Sequence, residues 1–362
     1  MGFQCGIVGL PNVGKSSLFR ALTGSQVAAE NYPFCTIDPN VGIVEVPDDR
    51  VNQIAALVEP ERVIHATTKF VDIAGLVKGA AQGEGLGNQF LSHIRETQAI
   101  AHVVRCYDDP DVQHVHGSVD PVRDIEIIDL ELVMADMDVC AKHRQKWAKQ
   151  TKAGDKQAAF NESVLAEAEE FLGNKGPIRL ADDELKQRLS QVEGVMLITS
   201  KPVIYVANVA EDDLLGNDYV DQLKAHLQGQ AVMCLCAKLE SELSELSHSE
   251  KQLFFQELGL EESGLSQLIQ AGYRLLNLQS YFTAGPQEVR AWTIQSGMNA
   301  VEAAGKIHTD FMKHFIRAEV IGYDDFIAKS GEAGAKESGL WRLEGKQYIV
   351  QDGDVIFFRV SK

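Results

Sequence analysis

Eight residues near the N-terminus, Gly9-Leu-Pro-Asn-Val-Gly-Lys-Ser16, have the composition and spacing of a phosphate-binding loop. The run fits GxxxxGK[ST] without exception, follows an apolar stretch typical of a strand (residues 3–8), and opens a helical pattern that ends at Gly24. Its glycines let backbone N–H groups turn toward phosphate oxygens, Lys15 reaches the terminal phosphates, and the Ser16 hydroxyl ligates Mg²⁺. A glycine-rich turn of no function rarely has this context, so the segment predicts a nucleotide phosphate site.

Two later fragments have the form of nucleotide-sensing segments. Asp72-Ile-Ala-Gly75 has the D-x-x-G form and follows a strand-like run. Its carboxylate would hold a Mg²⁺-bound water, and the Gly75 N–H would meet the γ-phosphate. Thr36, in an earlier loop, would complete the Mg²⁺ shell only when that phosphate is present. Either fragment alone is more often an ordinary turn, but in this order after the phosphate loop they indicate a G-protein-type switch.

The residues that would drive hydrolysis are less typical. Leu76 follows Gly75 where many GTPases have the glutamine that positions water, so we expect slow intrinsic hydrolysis. His114 is a candidate for positioning the water, and a solvated loop histidine is the alternative. Asn12 can supply an amide oxygen to a monovalent cation that bridges the phosphates, so we predict that K⁺ accelerates turnover.

The loop predicted to contact the base departs from the guanine-binding pattern N-K-x-D. After a strand-like run at 202–207 the sequence reads Asn208-Val-Ala-Glu211, with Val209 in the lysine position. Adenine offers a 6-amino donor, which the Asn208 amide oxygen or nearby backbone carbonyls can accept. Loss of the paired carboxylate contacts removes guanine discrimination worth several kcal/mol, roughly. The loop therefore favours ATP and leaves weaker GTP binding open, and Cys236-Ala-Lys238 resembles the S-A-K loop that closes over the base.

Strand-like and helical runs alternate along most of the first 279 residues, which predicts a doubly wound α/β sheet. The alternation stops at 122–198, where apolar residues recur at helical spacing and predict two long helices folded back on each other. From 280 onward, tight turns and strand-like runs predict a small α+β module. We therefore expect a nucleotide domain of residues 1–121 and 199–279, an inserted helical arm of residues 122–198, and a C-terminal module of residues 280–362.

Charge is strongly polarised along the arm. The chain has 52 acidic and 34 basic residues, a net charge of −18, which argues against a protein that coats nucleic acid non-specifically. A basic run at 142–156 nevertheless follows an acidic stretch at 120–138, and we expect it near the tip of the arm. RNA contact and an ordinary solvated helix face are equally open interpretations of this run.

Neither a membrane segment nor a metal-binding cysteine motif is predicted. No apolar run approaches the ~20 residues that span a bilayer. The six cysteines form no CxxC motif, which is typical of buried thiols in a reducing compartment. We therefore expect a cytoplasmic protein without a membrane partner.

Several motifs together resemble the Obg-like ATPase (YchF) family over the whole chain. They are GLPNVGKS, FCTIDPN, DIAGLVKGA, NVAE and the run AGKIHTDF at 304–311. The resemblance implies a Ras-like P-loop domain with an inserted coiled-coil arm and a C-terminal TGS domain of ubiquitin-like β-grasp form. It also implies ATP as the preferred nucleotide, Mg²⁺ as the cofactor, and association with the ribosome, chiefly its large subunit.

The resemblance carries site residues as well. The residues that it implies for phosphate binding are Asn12, Val13, Gly14, Lys15, Ser16 and Ser17. It implies Ser16 and Thr36 as ligands of Mg²⁺, and Asn208 and Val209 as contacts of adenine. We therefore expect a slow ATPase switch whose arm and C-terminal module dock a ribosomal or other RNA-containing partner. A conventional GTPase is one alternative, and a nucleotide-sensing adaptor in which hydrolysis is incidental is another.

Overall fold

The structure is a computed structural model in which the chain forms two compact units. The larger unit comprises Gln4–Gly24 and Phe70–Gly259, and the smaller unit comprises Met1–Phe3, Ser25–Lys69 and Leu260–Lys362. The structure describes residues 3–24, 40–72, 86–246, 250–251, 253–255, 259–260 and 262–361, with only the backbone of 86–90.

The described residues form strands and helices that are numbered here in chain order. The strands are β1 (Gln4–Val8), β2 (Val41–Glu45), β3 (Arg62–Ile64), β4 (Thr67–Asp72), β5 (Ala99–Arg105), β6 (Val203–Asn208), β7 (Val232–Leu235), β8 (Leu278–Ala284), β9 (Glu288–Gln295), β10 (Phe315–Ile321), β11 (Arg342–Glu344) and β12 (Val355–Val360). The helices are α1 (Lys15–Gly24), α2 (Asp49–Val58), α3 (Leu86–Glu96), α4 (Pro121–Thr151), α5 (Lys156–Lys175), α6 (Asp183–Ser190), α7 (Asp218–Leu227), α8 (Ala237–Leu243), α9 (Gly264–Leu275), α10 (Ala300–Ile307), α11 (Thr309–Lys313), α12 (Tyr323–Ala328) and α13 (Glu332–Glu337).

Parallel strands in the order β1-β5-β6-β7 form the centre of the larger unit. Every residue of β5 and β6 is buried, as expected for parallel strands covered on both faces. Their registers pair Val8 with His102, Arg105 with Asn208, and Asn208 with Leu235. The carboxyl ends of these strands therefore meet at one edge of the sheet, where ligands of open α/β sheets bind.

The insertion between β5 and β6 is helical, as the sequence predicts. Helix α4 runs for 31 residues, begins after the N-cap Asp120, and has Pro121 in its first turn. Asp155 then caps α5 by accepting from two backbone N–H groups. The two helices share an apolar core that includes Cys140, Val164 and Leu165. The basic run occupies the last turns of α4 and the short connection to α5, so it lies at the turn of the hairpin.

Two acidic residues of α4, the buried Asp136 and the partly buried Asp129, attach the arm to the rest of the larger unit. Asp136 accepts hydrogen bonds from the Ile198 N–H (2.9 Å) and from the Thr199 N–H and hydroxyl (both 2.7 Å). Asp129 pairs with Arg179, whose guanidinium also donates to the Tyr205 hydroxyl at 3.0 Å. Burial raises the pKa of both carboxyl groups, and the Arg179 charge and the Thr199 donors oppose that rise.

The smaller unit contains a six-stranded sheet in the order β11-β10-β12-β8-β9-β3. Strand β12 is parallel to β8 and β3 is parallel to β9, whereas the other pairs are antiparallel. Helix α10 covers the sheet with Ala300, Ala303 and Ala304, whose small side chains allow a close approach to Tyr281. The α+β architecture predicted for the C-terminal module is therefore confirmed.

Residues 40–69 join this smaller unit, which the sequence does not indicate. Strand β3 pairs with β9, and the Arg50 guanidinium, from the first turn of α2, bonds both Asp48 and Asp352 at 2.8 Å. Strand β3 is only three residues long, and its pairing with β9 leaves no local signal in the sequence. The predicted three-part division, with boundaries after residues 121, 198 and 279, stays a prediction. In the part of the chain that the structure describes, no helix is both long enough and apolar enough to cross a bilayer.

Candidate nucleotide-binding site

The loop between β1 and α1 has a backbone that depends on glycine at two positions. A Cβ on Gly9 would lie 2.4 Å from the Val103 carbonyl oxygen, and one on Gly14 would lie 2.1 Å from the Asn208 amide nitrogen. Gly14 has a φ of +100°, and Asn12 lies in the left-handed region with a φ of +62°. The sequence therefore forms the curled loop, ahead of a helix N-terminus, that binds phosphate groups.

Lys15 begins α1 and lies inside this loop. Its side chain is 8% exposed, and its ammonium donates to the Leu10 carbonyl at 2.6 Å. Burial lowers the pKa of Lys15 to about 8, and the negative charge of Asp72 partly offsets that effect. Burial also raises the pKa of Asp72, which Lys15 opposes. A phosphate anion bound next to this ammonium would therefore favour its charged form.

Asn208, the last residue of β6, ties three segments of the site together. Its amide nitrogen donates to the Val13 carbonyl at 2.8 Å, and its amide oxygen accepts from the Ala237 N–H at 2.9 Å. Its backbone carbonyl accepts from the Cys106 N–H at 2.8 Å. With the residue 3% exposed, this side chain joins the phosphate loop to the loop after β7. The predicted contact between the Asn208 oxygen and adenine would use the remaining lone pair, and it stays a prediction.

The neighbouring residues of the predicted base loop differ in exposure. Val209 is buried, and its N–H bonds the Leu235 carbonyl. Glu211 is exposed, and its carboxylate accepts from the Lys238 ammonium at 3.0 Å. This ion pair raises the pKa of Lys238. The carboxylate that takes the place of the guanine-reading aspartate is therefore engaged by a cation from the loop after β7.

His114 is buried rather than solvated, so the alternative interpretation of a solvated loop histidine is wrong. It is 5% exposed, its Nε2 lies 2.8 Å from Asp124 Oδ2, and its Nδ1 accepts from the His116 N–H at 3.2 Å. Because Nδ1 is an acceptor, Nε2 carries the ring proton and donates to the carboxylate. Both ring nitrogens are thus bonded within the protein, and the predicted water-positioning role stays a prediction.

Arg105, which belongs to none of the sequence motifs, shapes the loop that carries His114. The residue is 1% exposed and donates to the carbonyls of Tyr107 (3.0 Å), Asp109 (3.3 Å) and Val112 (2.7 Å). A single charged residue within an otherwise apolar strand is the signal that would have found it. The next residue of this loop, Gln113, accepts from the Asn12 amide nitrogen at 3.1 Å through its carbonyl.

The remaining predicted residues divide into two groups. Val13 is buried, and Ser16 and Ser17 lie in the first turn of α1, with Ser16 exposed. Thr36, Gly75 and Leu76 lie outside the described residues. Among the residues that the structure describes, no three His, Cys, Asp or Glu side chains are grouped as a metal site. A divalent ion here would therefore depend on hydroxyl, single carboxylate and phosphate oxygens, which are ligands that Mg²⁺ accepts.

Comparison with known proteins gives matches over the whole chain. Residues 4–142 match the family model MMR_HSR1, "50S ribosome-binding GTPase", and residues 278–361 match YchF-GTPase_C, "Protein of unknown function (DUF933)". The chain is 56% identical over 363 residues to proteins called Ribosome-binding ATPase YchF from Pasteurella multocida and Haemophilus ducreyi, with 100% of each chain covered. It is also similar to the solved structure of the Schizosaccharomyces pombe YchF GTPase, with 36% identity, a TM-score of 0.87, and coverage of 99% of this chain and 98% of that chain.

Proposed function

This chain belongs to the YchF family of P-loop nucleotide hydrolases, and we propose that it is a Mg²⁺-dependent ATPase switch that binds the ribosome in the cytoplasm. The observation that carries the nucleotide part is the environment of Lys15, buried inside a glycine-dependent loop at a helix N-terminus. Bound phosphates would replace the Leu10 carbonyl as the partner of the Lys15 ammonium, and they would favour the charged form of Lys15. Asn12, Val13, Gly14, Ser16 and Ser17 supply the rest of the cradle.

Oxygen ligands of the right kind for Mg²⁺ stand at this loop. The Ser16 hydroxyl is exposed in the first turn of α1, and the Asp72 carboxylate ends β4. Thr36 and Gly75 are proposed to complete the set from their sequence positions. When bound, Mg²⁺ neutralises charge on the β- and γ-phosphates. Asp72 would hold a water of the Mg²⁺ shell, and its raised pKa reflects the burial that phosphate and metal binding would deepen.

Two features of the base loop, at Val209 and Glu211, support ATP over GTP. Val209 replaces the lysine of the guanine pattern and is buried below the loop. Glu211 is longer than the aspartate of that pattern, and its carboxylate is held by Lys238, away from a role as acceptor for the guanine N1–H and 2-amino group. Asn208 holds the base loop against the phosphate loop through its bond to the Val13 carbonyl. Backbone carbonyls of this loop and the free lone pair of Asn208 remain as acceptors for the adenine 6-amino group.

Slow intrinsic hydrolysis follows from the same geometry. Leu76 has no group to position water, and both nitrogens of His114 are bonded to the protein. His114 would act on the attacking water only after its bond to Asp124 opens. The amide nitrogen of Asn12 is held by Gln113, which leaves the Asn12 oxygen as the end available to K⁺. We propose that K⁺ bound there supplies the positive charge that an arginine finger supplies in other enzymes.

Ribosome binding is proposed from the names of the relatives and from the charge of the arm. The lysines at 142, 146, 149, 152 and 156 are all exposed at the hairpin turn, which suits contact with RNA phosphates. The large subunit is the finer proposal, supported by the description of the N-terminal family model. The C-terminal module is proposed as a TGS domain and as a second contact.

Phosphate release from ATP, measured with Mg²⁺ and K⁺ in the presence of purified 50S or 30S subunits, tests this function. We expect slow turnover alone, stimulation by 50S subunits, and loss of activity in Lys15→Ala. Ribosome binding that persists in Lys15→Ala would favour the nucleotide-sensing adaptor, in which hydrolysis is incidental. Equal rates in Na⁺ and K⁺ would contradict the role of Asn12.

A further inference from the structure

The loop between β5 and α4, residues 106–120, touches the phosphate loop at one point and the arm at another. We propose that this segment, here called the link, transmits nucleotide occupancy to the helical arm, and that Asp124 is the positioning residue that connects the link to α4. The proposal rests on the proposed nucleotide site. It assigns the arm a response to nucleotide, and it gives a use to two buried groups, Arg105 and Asp124.

The first contact joins the link to the phosphate loop. The Asn12 amide nitrogen donates to the Gln113 carbonyl at 3.1 Å, and Asn12 has left-handed backbone in the middle of the loop. Phosphates that reorganise this loop therefore act on Gln113 directly. Asn12 and Gln113 are separated by 101 positions in the sequence, so the contact exists only because the carboxyl ends of β1 and β5 lie at the same edge.

The link is internally braced, so a displacement at one end reaches the other. Arg105 holds three of its carbonyls, and its guanidinium stacks over the Tyr107 ring at 4.7 Å from the centroid. Further along, the Gly117 N–H bonds the His114 carbonyl at 3.0 Å, and the His116 N–H bonds the His114 ring. Arg105 and His114 are buried, whereas most residues of the link are exposed, so these hydrogen bonds hold the segment together and let its two ends move as one.

The second contact joins the link to the first turn of α4. His114 Nε2 donates to Asp124 Oδ2 at 2.8 Å, and Asp124 is 2% exposed. The other carboxylate oxygen accepts from Arg123 at 3.0 and 3.2 Å, and Arg123 also donates to the Ser118 carbonyl at 2.7 Å. Asp124 is therefore bonded to the link in two ways, directly through His114 and indirectly through Arg123. Removal of its carboxylate would leave His114 and Arg123 without their shared partner.

Because α4 is long, a small rotation of the helix at Asp124 would move its far end by a larger distance. About 27 residues separate Asp124 from the end of the helix, a span of about 40 Å at 1.5 Å per residue. A rotation of about 5° at the root would move the basic tip by about 3.5 Å on this estimate. The other attachments of α4, at Asp129 and Asp136, join it to residues 178–205 and do not involve the link. They provide a control on the same helix.

Hydrogen-exchange mass spectrometry of the full chain, with and without a saturating non-hydrolysable nucleotide and Mg²⁺, tests the link. The nucleotide is the one that the wild type binds, whether ATP or GTP analogue. In the wild type we expect nucleotide to slow exchange at least fivefold in peptides from 9–24 and from 121–135. In Asp124→Ala the protection of 9–24 persists and that of 121–135 is lost. Asp124→Asn keeps an acceptor for His114 and restores it, and the control Asp129→Asn retains it.

A second variant cuts the link at its other end and does not disturb the buried pair. Asn12→Gly tolerates the left-handed backbone and removes the bond to Gln113 together with the oxygen proposed for K⁺, so the comparison is made at saturating nucleotide. At saturating nucleotide it should protect 9–24 and lose protection of 121–135, which a merely structural role for Asp124 would not produce. Protection of 121–135 that survives in both Asp124→Ala and Asn12→Gly overturns the link alone. Absence of protection in 9–24 of the wild type with either nucleotide overturns the proposed function, and the link with it.

Discussion

Replacement of Asn208 by alanine is the perturbation for which the structure gives the clearest magnitude. The change removes the bonds to the Val13 carbonyl and from the Ala237 N–H in a position that is almost fully buried. Each backbone group left unpaired costs about 1–3 kcal/mol. Partial access of water reduces the sum, so we expect about 2–4 kcal/mol of lost stability.

The same change should also weaken nucleotide binding. Without the amide, the phosphate loop and the loop after β7 are no longer held together, and binding must restore their arrangement. We expect an ATP dissociation constant at least tenfold higher, equivalent to about 1.4 kcal/mol or more. Thermal unfolding and titration of a fluorescent ATP analogue measure the two effects, and the melting temperature should fall by roughly 6–12 °C.

Asn217→Ala is the matched control for Asn208→Ala. Asn217 lies in the same unit, caps α7 by accepting from the Val220 N–H, and donates to the Cys106 carbonyl at 2.8 Å. It makes comparable bonds, but none with the phosphate loop. We expect a stability loss of about 1–2 kcal/mol with little change in ATP affinity. If Asn208→Ala bound ATP as tightly as Asn217→Ala does, the proposal that Asn208 holds these two loops together for nucleotide binding would be refuted.

Three further predictions follow from the site and the arm. Gly14→Ala should abolish ATP binding, because its Cβ would meet the Asn208 amide, whereas Gly154→Ala has a similar φ of +89° with no atom within 4 Å and should cost only about 1 kcal/mol of stability. ATP affinity should fall about tenfold between pH 7 and pH 9, since Lys15 has a pKa lowered to about 8 in the free protein and loses its charge above it; a flat profile would contradict this protonation argument. Charge reversal of the lysines at 142, 146 and 149 should weaken ribosome binding. The slope of the logarithm of the ribosome-binding constant against the logarithm of salt concentration should fall by about one for each phosphate that is no longer neutralised. An unchanged slope would favour a solvated helix face.

Local sequence signals predicted the parts of the structure that depend on local chemistry. The glycines and Lys15 of the phosphate loop, the helical period of the arm and the turn at 152–155 all encode geometry within a few residues. The structure therefore confirms the phosphate loop between β1 and α1, the helical insertion and the α+β C-terminal module.

Long-range contacts account for what the sequence did not reveal. Nothing near Asn208 in the sequence indicates that its amide bonds Val13, 195 positions away. The burial of His114 depends on Asp124 and on the fold of the link. The addition of β3 to the sheet of the smaller unit likewise depends on β9, which follows more than two hundred positions later.

Equilibrium binding of labelled ATP and GTP to the nucleotide-free protein, with Mg²⁺ and K⁺ present, tests the central claim most directly. The account predicts that ATP binds at least tenfold more tightly than GTP, a difference of about 1.4 kcal/mol or more. That result would support the base loop formed by Asn208, Val209 and the paired Glu211. Equal or tighter binding of GTP would contradict the adenine preference, leave the phosphate site in place, and assign the chain to the conventional GTPases.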